Sequence, residues 1–280
     1  MSKTIAFLAC AAGLSVGASA ASSLSLLVST DGVNFSSNVF LAPNSGKRTV
    51  EVLATVSYTG TGAIGLNSLI IQPTLSNWRA TDELLPFAVP FGGNTTTPPA
   101  AVADAPGAYG RISPWAASSD VFSRRLFGHV HLSSGGVNQP PAGSHLRIAQ
   151  AQVTSWYGGF GNTTGGSGVN LSQRSNVGRV ASDPAFNSNL TNVRVFRFGV
   201  LIDTASYPRV LDVTVPHQGL GNLNFTTGER QIYWYASMQE PVGSIRETPT
   251  IFGAQIWVVP APGALGVIGV GLVACARRRR

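Results

Sequence analysis

The sequence predicts an all-β protein, two antiparallel sheets packed as a sandwich, and three observations predict it. Apolar residues recur at every second position, most clearly as Val50, Val52, Ala54 and Val56 between Thr49 and Tyr58. About nine or ten such runs follow one another, separated by Gly, Pro, Asn and Asp turn chemistry. No window repeats its apolar residues at the 3.6 spacing of an amphipathic helix.

The first run, Leu24 to Ser29, meets Asp31-Gly32, a two-residue hairpin signal, and Val33 to Leu41 is its return strand. Thr49 to Tyr58 and Leu66 to Pro73 come next, with a short helical turn expected near Asp82 to Leu85. Leu126 to Leu132, Leu146 to Trp156, Val193 to Ile202, Val210 to Val215, Gln231 to Met238 and Thr250 to Val258 complete the series. Arg194 and Arg197 interrupt the Val193 run, which implies that one of its sides faces solvent. Two long polar connections, Phe91 to Ser119 and Gly158 to Asn192, are the places to expect a binding site, because loops of that length are uncommon in compact domains. Jelly-roll and immunoglobulin- or cohesin-like strand orders both fit this series, and the chain carries no internal repeat.

Both ends of the chain read as addresses. Lys3 supplies a short charged region, Ile5 to Val16 an apolar one, and Ala18-Ser19-Ala20 a small-residue cleavage site, so residues 1–20 form a signal peptide with maturation after Ala20. At the other end stand Val259-Pro260-Ala261-Pro262-Gly263, a 14-residue uncharged run from Gly263 to Ala276, and Arg277, Arg278, Arg279 and Arg280. A helix of that run spans about 21 Å, short for a bilayer, but arginine stems reach the interface and Ile256 to Val259 add apolar length. Trp257 suits a headgroup belt, and the arginines orient the tail with its tip in the cytoplasm. On this reading 21–256 is the folded domain and 257–280 the sorting tail with a short transmembrane helix.

The order Pro-x-Pro, hydrophobic helix, arginine cluster resembles the PEP-CTERM sorting signal of exported bacterial proteins. Ala261 stands where the commonest form has Glu, which makes this a Pro-Ala-Pro variant. The resemblance covers only the tail. It implies transient anchoring in the inner membrane and cleavage near the motif by an exosortase, a membrane-embedded cysteine protease of transpeptidase type.

The two ends also account for the apparent chemistry of the whole. The chain holds 19 Lys and Arg against 12 Asp and Glu, but five of the positives are Lys3 and the terminal arginines, so the body is near +2. Nucleic-acid binding loses its basis. Cys10 and Cys275 both lie in the end segments, leaving the body without disulfide, thiol nucleophile or cysteine ligand.

Within the body no motif assigns catalysis. His129 and His131 share a strand face at a metal-chelating spacing, with His145 or Asp120 as the nearest third ligand; the sequence fixes none, and exposed strand histidines are the simpler reading. Asp203 and Asp212 lie on consecutive strands, as do acid pairs in many β-domains, so glycoside hydrolysis is a minor reading. The glycine-rich Gly158–Gly159 and Gly161–Gly166 stretches lack the Lys-Ser/Thr of a phosphate loop. Tyr233-Trp234-Tyr235 places Trp234 in the core and both tyrosines on an exposed or rim face, where they suit sugar stacking, and Trp78, Trp115 and Trp156 sit where a binding surface would recruit them. The sequence therefore predicts an exported, non-catalytic protein of the cell surface or extracellular matrix, without cofactor or metal. A carbohydrate-binding surface module partnered by extracellular polysaccharide is the alternative, and a secreted polysaccharide-acting hydrolase the third reading.

Overall fold

The computed structural model describes residues 21–88, 101–115, 126–134, 142–150, 168–173, 186–215, 232–236 and 243–259. These residues form sixteen strands, β1 to β16 in chain order, in three sheets. Sheet 1 runs β15 (Thr250–Phe252), β1 (Ala21–Ser29), β3 (Lys47–Thr59), β11 (Val193–Asp203), β6 (Glu83–Leu84), with β7 (Gly110–Arg111) also paired to β11. Sheet 2 runs β2 (Asn38–Leu41), β16 (Ala254–Val258), β12 (Arg209–Thr214), β5 (Thr74–Leu75), β9 (Gly143–Gln150), β8 (Leu126–Ser133). Sheet 3 runs β10 (Val169–Ser172), β4 (Gly65–Ile71), β13 (Ile232–Tyr235), β14 (Ser244–Glu247). The fold is all-β, but its described sheets number three where two are expected, and β1–β15 and β2–β16 pair in parallel.

At two places the chain passes directly from one sheet into another. The expected strand Leu66 to Pro73 is β4, and the chain then enters β5 of sheet 2; Pro73, with no N–H, cannot continue a ladder and offers its carbonyl to Ile148 N at 2.9 Å. The expected strand Thr250 to Val258 divides at Gly253 into β15 of sheet 1 and β16 of sheet 2. A Cβ at Gly253 would lie 2.8 Å from the carbonyl oxygen of Val213, so the corner passes close against backbone. Strands that bend from one sheet into the next make the corners of packed sheets.

Asp31-Gly32 makes a turn without the predicted hairpin. Asp31 Oδ1 accepts the N–H groups of Val33 and Asn34, each at 2.8 Å, which bends the chain into an Asx-type turn. Only the Val28–Ser36 bridge joins the two arms, and β2 goes on to pair with β16. The helical turn expected at Asp82 to Leu85 is also replaced: the turn ends at Asp82, whose N–H donates to Arg79 O, and Glu83–Leu84 pair with β11.

β3 lies at the centre of sheet 1 and is buried on both faces. Its inward residues Val52, Ala54 and Val56 stand in register with Val28, Leu26 and Leu24 of β1 and with Phe198, Phe196 and Val193 of β11. They join Leu66 and Trp234 of sheet 3 and Leu211 and Ile256 of sheet 2 in one hydrophobic core. Trp234 packs on Tyr58 with centroids 5.3 Å apart and donates its indole N–H to Ser22 Oγ at 2.9 Å, which ties sheet 3 to sheet 1. Each such fully buried side chain contributes about 1.5–3 kcal/mol from desolvation.

Candidate functional site

Two outward faces carry the chemistry, and the chain treats them differently. The outward face of sheet 1 is set by a bulge in β11. Arg194 pairs with Thr55 and Phe196 with Ala54, leaving Val195 as the extra residue. Without the bulge, Arg194 and Arg197, three apart, would point to opposite faces. With it both turn outward, and their guanidinium carbons lie 5.5 and 5.2 Å from the Phe35 ring centre.

Residues 101–115 close over this face. Asp104 bridges the two arginines, its oxygens 2.8 Å from Arg194 Nη1 and 2.8 Å from Arg197 Nη2. Glu51, also outward on β3, lies 3.4 Å from Arg197 Nη1 and accepts the Gly107 N–H at 2.8 Å and the Tyr109 hydroxyl at 3.3 Å. Tyr109 sits flat on Gly199, where any Cβ would come within 2.3 Å of the ring. Burial, then the Glu51 charge, push the Tyr109 phenol up to about 12. The carbonyls freed by the bulge are used as well: Val195 O accepts Ile112 N at 3.1 Å and Arg194 O accepts Trp115 Nε1 at 2.8 Å. The connection expected to be a polar loop with a binding site therefore works, in its described part, as a cover.

A second buried pair stands at the other end of β11. Arg209 meets Asp82 through two bonds of 2.8 and 2.9 Å and donates to Asp203 O at 2.9 Å. Asp82 also accepts the N–H groups of Arg79 and Asp203.

The outward face of sheet 2 is buried at Thr74, His145 and Arg147 and presents exposed or half-buried side chains at β2, β16 and β12. Phe40 of β2, Trp257 of β16 and Val210 of β12 stand in register across three strands. The two rings stack with centroids 6.1 Å apart and planes 30° apart, and Phe40 is 51% exposed. Two residues along each strand, Asn38, Gln255 and Asp212 form a parallel polar row. Gln255 Nε2 donates to Asp212 Oδ1 at 2.8 Å, and Ser76 Oγ lies 3.3 Å from Oδ2.

The sequence-predicted residues fall as follows. Ala18, Ala20, Pro260, Ala261, Pro262, Gly263 and Arg277 to Arg280 lie outside the described residues, and with them the predicted C-terminal helix; among the described residues no helix is long and apolar enough to cross a membrane. Val259 is described, and its N–H donates to Leu41 O at 3.3 Å. Trp257 and Val258 belong to β16, so the sheet continues two residues past the boundary expected at 256. Trp234 is buried, as alternation predicts, but Tyr235 does not share the exposed or rim position expected of the tyrosine face: it is 1% exposed, covered by Phe186 at 5.8 Å between ring centres. Tyr233 is half-buried opposite Ser68 and Arg246. No paired tyrosine platform exists there. Trp78 and Trp115 are likewise buried, the latter fully, and Trp156 lies outside the described residues.

Asp203 and Asp212 do not form an acid pair. Asp203 ends β11 in sheet 1 and accepts the N–H of Ala205, while Asp212 faces outward from sheet 2. His129 and His131 do share a face, His131 opposite His145 and His129 opposite Arg147, yet they are half-buried and His145 is buried, not exposed strand histidines. Burial, then the Arg147 charge, lower both His129 and His131. Among the described residues no group of three or more His, Cys, Asp or Glu is placed to hold a metal ion, and Asp120 lies outside them.

No family model matches the chain, and no curated protein does. Several solved structures resemble it, two of them as follows. A chain of the CaDoc0917–CaCohA2 complex is 12% identical, with 85% of this chain and 99% of that one covered and a TM-score of 0.30. The seventh ScaB type I cohesin of Pseudobacteroides cellulosolvens is 10% identical, with 85% and 94% covered and the same TM-score of 0.30. Likeness at this level does not extend to what those proteins bind.

Proposed function

We propose that this chain is an exported, non-catalytic module of the cell surface or extracellular matrix, held at the outer side of the inner membrane by its tail until an exosortase-type protease releases it. The observation that carries this reading is the fit between the folded body and the two addresses. Ala21, the first residue after the cleavage site read from the sequence, already stands in β1 opposite Thr59, and β16 ends at Val258, immediately before the Val259-Pro260-Ala261-Pro262-Gly263 motif. Cleavage at either signal spares every described pairing of β1 and β16. The non-catalytic part of the reading is supported by the acids: Glu51, Asp82 and Asp104 serve buried or half-buried ion pairs, and Asp203 and Asp212 stand on different sheets.

Intact mass measurement of the extracellular form tests it. The expected chain starts at Ala21 and ends between Pro260 and Gly263. Arg280 retained on extracellular protein overturns the reading. Replacing Arg277, Arg278, Arg279 and Arg280 with Ser is expected to abolish membrane retention before release.

A further inference from the structure

The outer face of sheet 2 sets side by side the two kinds of group that a sugar chain uses. The aromatic row, Phe40 and Trp257, and the polar row, Asn38, Gln255 and Asp212, run across the same strands two residues apart. Strands lie about 4.8 Å apart and same-face neighbours along a strand about 6.7 Å, so a ring resting on the aromatic row reaches the polar row with its hydroxyls. One face of a hexose ring is C–H and stacks on an aromatic; its rim both donates and accepts. Asp212 is an acceptor fixed in advance by Gln255 at 2.8 Å and Ser76 at 3.3 Å, and each carboxylate oxygen still has a lone pair to offer.

Charge narrows the class. β2 and β16 carry no charged residue, and of the two on β12, Arg209 is turned inward to Asp82, so Asp212 is the one charge these strands present. An acidic polymer or an anionic lipid surface would meet a carboxylate and no cation on these strands, and a lipid surface has no use for the polar row. We propose that the outer face of β2, β16 and β12 binds a neutral polysaccharide, stacked on Trp257 and Phe40 and hydrogen-bonded to Asp212. This site replaces the Tyr233–Tyr235 platform and goes beyond the surface-module reading without depending on tail cleavage, so a chain that keeps Arg280 and still binds glycan would overturn that reading alone.

Isothermal titration calorimetry on the detergent-purified full chain tests it, with dextran, galactomannan and hydroxyethylcellulose as neutral polymers and alginate as the acidic one. Binding to at least one neutral polymer and none to alginate is expected. Trp257→Ala and Asp212→Ala should each weaken it by about tenfold or more, and Tyr233→Ala should leave it unchanged. Asp212 is exposed and its substitution leaves the core intact, so this variant keeps the test decisive if Trp257→Ala fails to fold. Silence with all three neutral polymers overturns the proposal, as does equal binding by wild type and Asp212→Ala. Phosphatidylglycerol vesicles run in parallel give the remaining outcome: vesicle binding that needs Trp257, without glycan binding, would put a lipid surface on this face and overturn it.

Discussion

The outward faces of sheets 1 and 2 begin from similar material and end differently. Both set aromatic and charged side chains on strands whose other face is in the core. On sheet 1, a bulge gathers Arg194 and Arg197 to one side, and residues 101–115 cover them with Asp104, Tyr109 and Trp115. On sheet 2, Phe40, Trp257 and Asp212 remain at the surface. Arg194, Arg197 and Tyr109 over sheet 1 are committed to holding the cover in place, whereas Phe40 and Trp257 on sheet 2 stack on each other at the surface.

The largest test of this contrast is Arg197→Met. Arg197 is 1% exposed, and removing it leaves Glu51 facing a buried space with its positive partner gone and Asp104 with Arg194 alone. The expected loss is about 3–5 kcal/mol by urea unfolding, the usual cost of orphaning one member of a buried pair. Adding Glu51→Leu should recover part of it, since two apolar groups can occupy a site that one unpaired charge cannot. If Arg197→Met loses less than about 1 kcal/mol, the cover is not fastened by charge.

Gly199→Ala is the next step down. The new methyl would overlap the Tyr109 ring, with 2.3 Å to its Cζ, so the cover must lift or the sheet must bend. About 1–3 kcal/mol is expected, with the Tyr109 ring freed. In a Tyr109→Ala background, Gly199→Ala should cost far less, because the three atoms nearest the new methyl all belong to this side chain.

How far these faces were legible in the sequence depends on the range of the interaction. The period-2 pattern of β3 is local, and so β3 appears where it is predicted. Partners are not local: nothing in Val39 or Leu41 shows that β2 pairs with β16 rather than with the strand beyond Asp31-Gly32. Alternation assumes an unbroken ladder, which the bulge at Val195 breaks, so the convergence of Arg194 and Arg197 could not be read. Tyr235 was misplaced for a similar reason, since its cover, Phe186, comes from a distant segment. Trp257 shows the limit most plainly. Ile256-Trp257-Val258-Val259 is a short apolar run that fits both the end of the expected Thr250 to Val258 strand and added length for a membrane helix, and periodicity does not separate the two.

The pH dependence sharpens the comparison at both extremes. Tyr109 holds its proton more tightly when folded, so its contribution is complete below its unfolded value near 10 and is lost as pH rises through about 12. Tyr109→Phe is expected to flatten the alkaline limb of the stability curve, and one phenol should be missing from the late part of the absorbance titration. Asp31 and Asp203 have carboxyls held below the usual range, first by backbone N–H groups of Asn34 and Ala205 respectively. Their contribution is present above about pH 4 and falls away as pH drops further. His129 and His131, lowered by burial and then by the Arg147 charge, favour the neutral form when folded, so their share is present above about pH 6.5 and shrinks on acidification. None of these groups lies on β2, β16 or β12, and glycan binding there should follow none of them.

The smallest expected effect is the one that separates the faces most cleanly. Trp257→Ala removes a half-buried ring from the outer side of β16, while Ile256 and Val258, both in the core, keep the strand in place. Its ring is stacked on Phe40, itself half in solvent, so little buried surface is lost. The cost should stay under about 1.5 kcal/mol, well below that of Arg197→Met, although a tryptophan is far larger than the charge removed there. A loss of about 3 kcal/mol or more would mean that the ring works as core, and the contrast between a fastened face and an open one would fail. A small loss in urea unfolding, measured on the same variant whose glycan binding is titrated, would show that the chain keeps this tryptophan at the surface for a purpose other than stability.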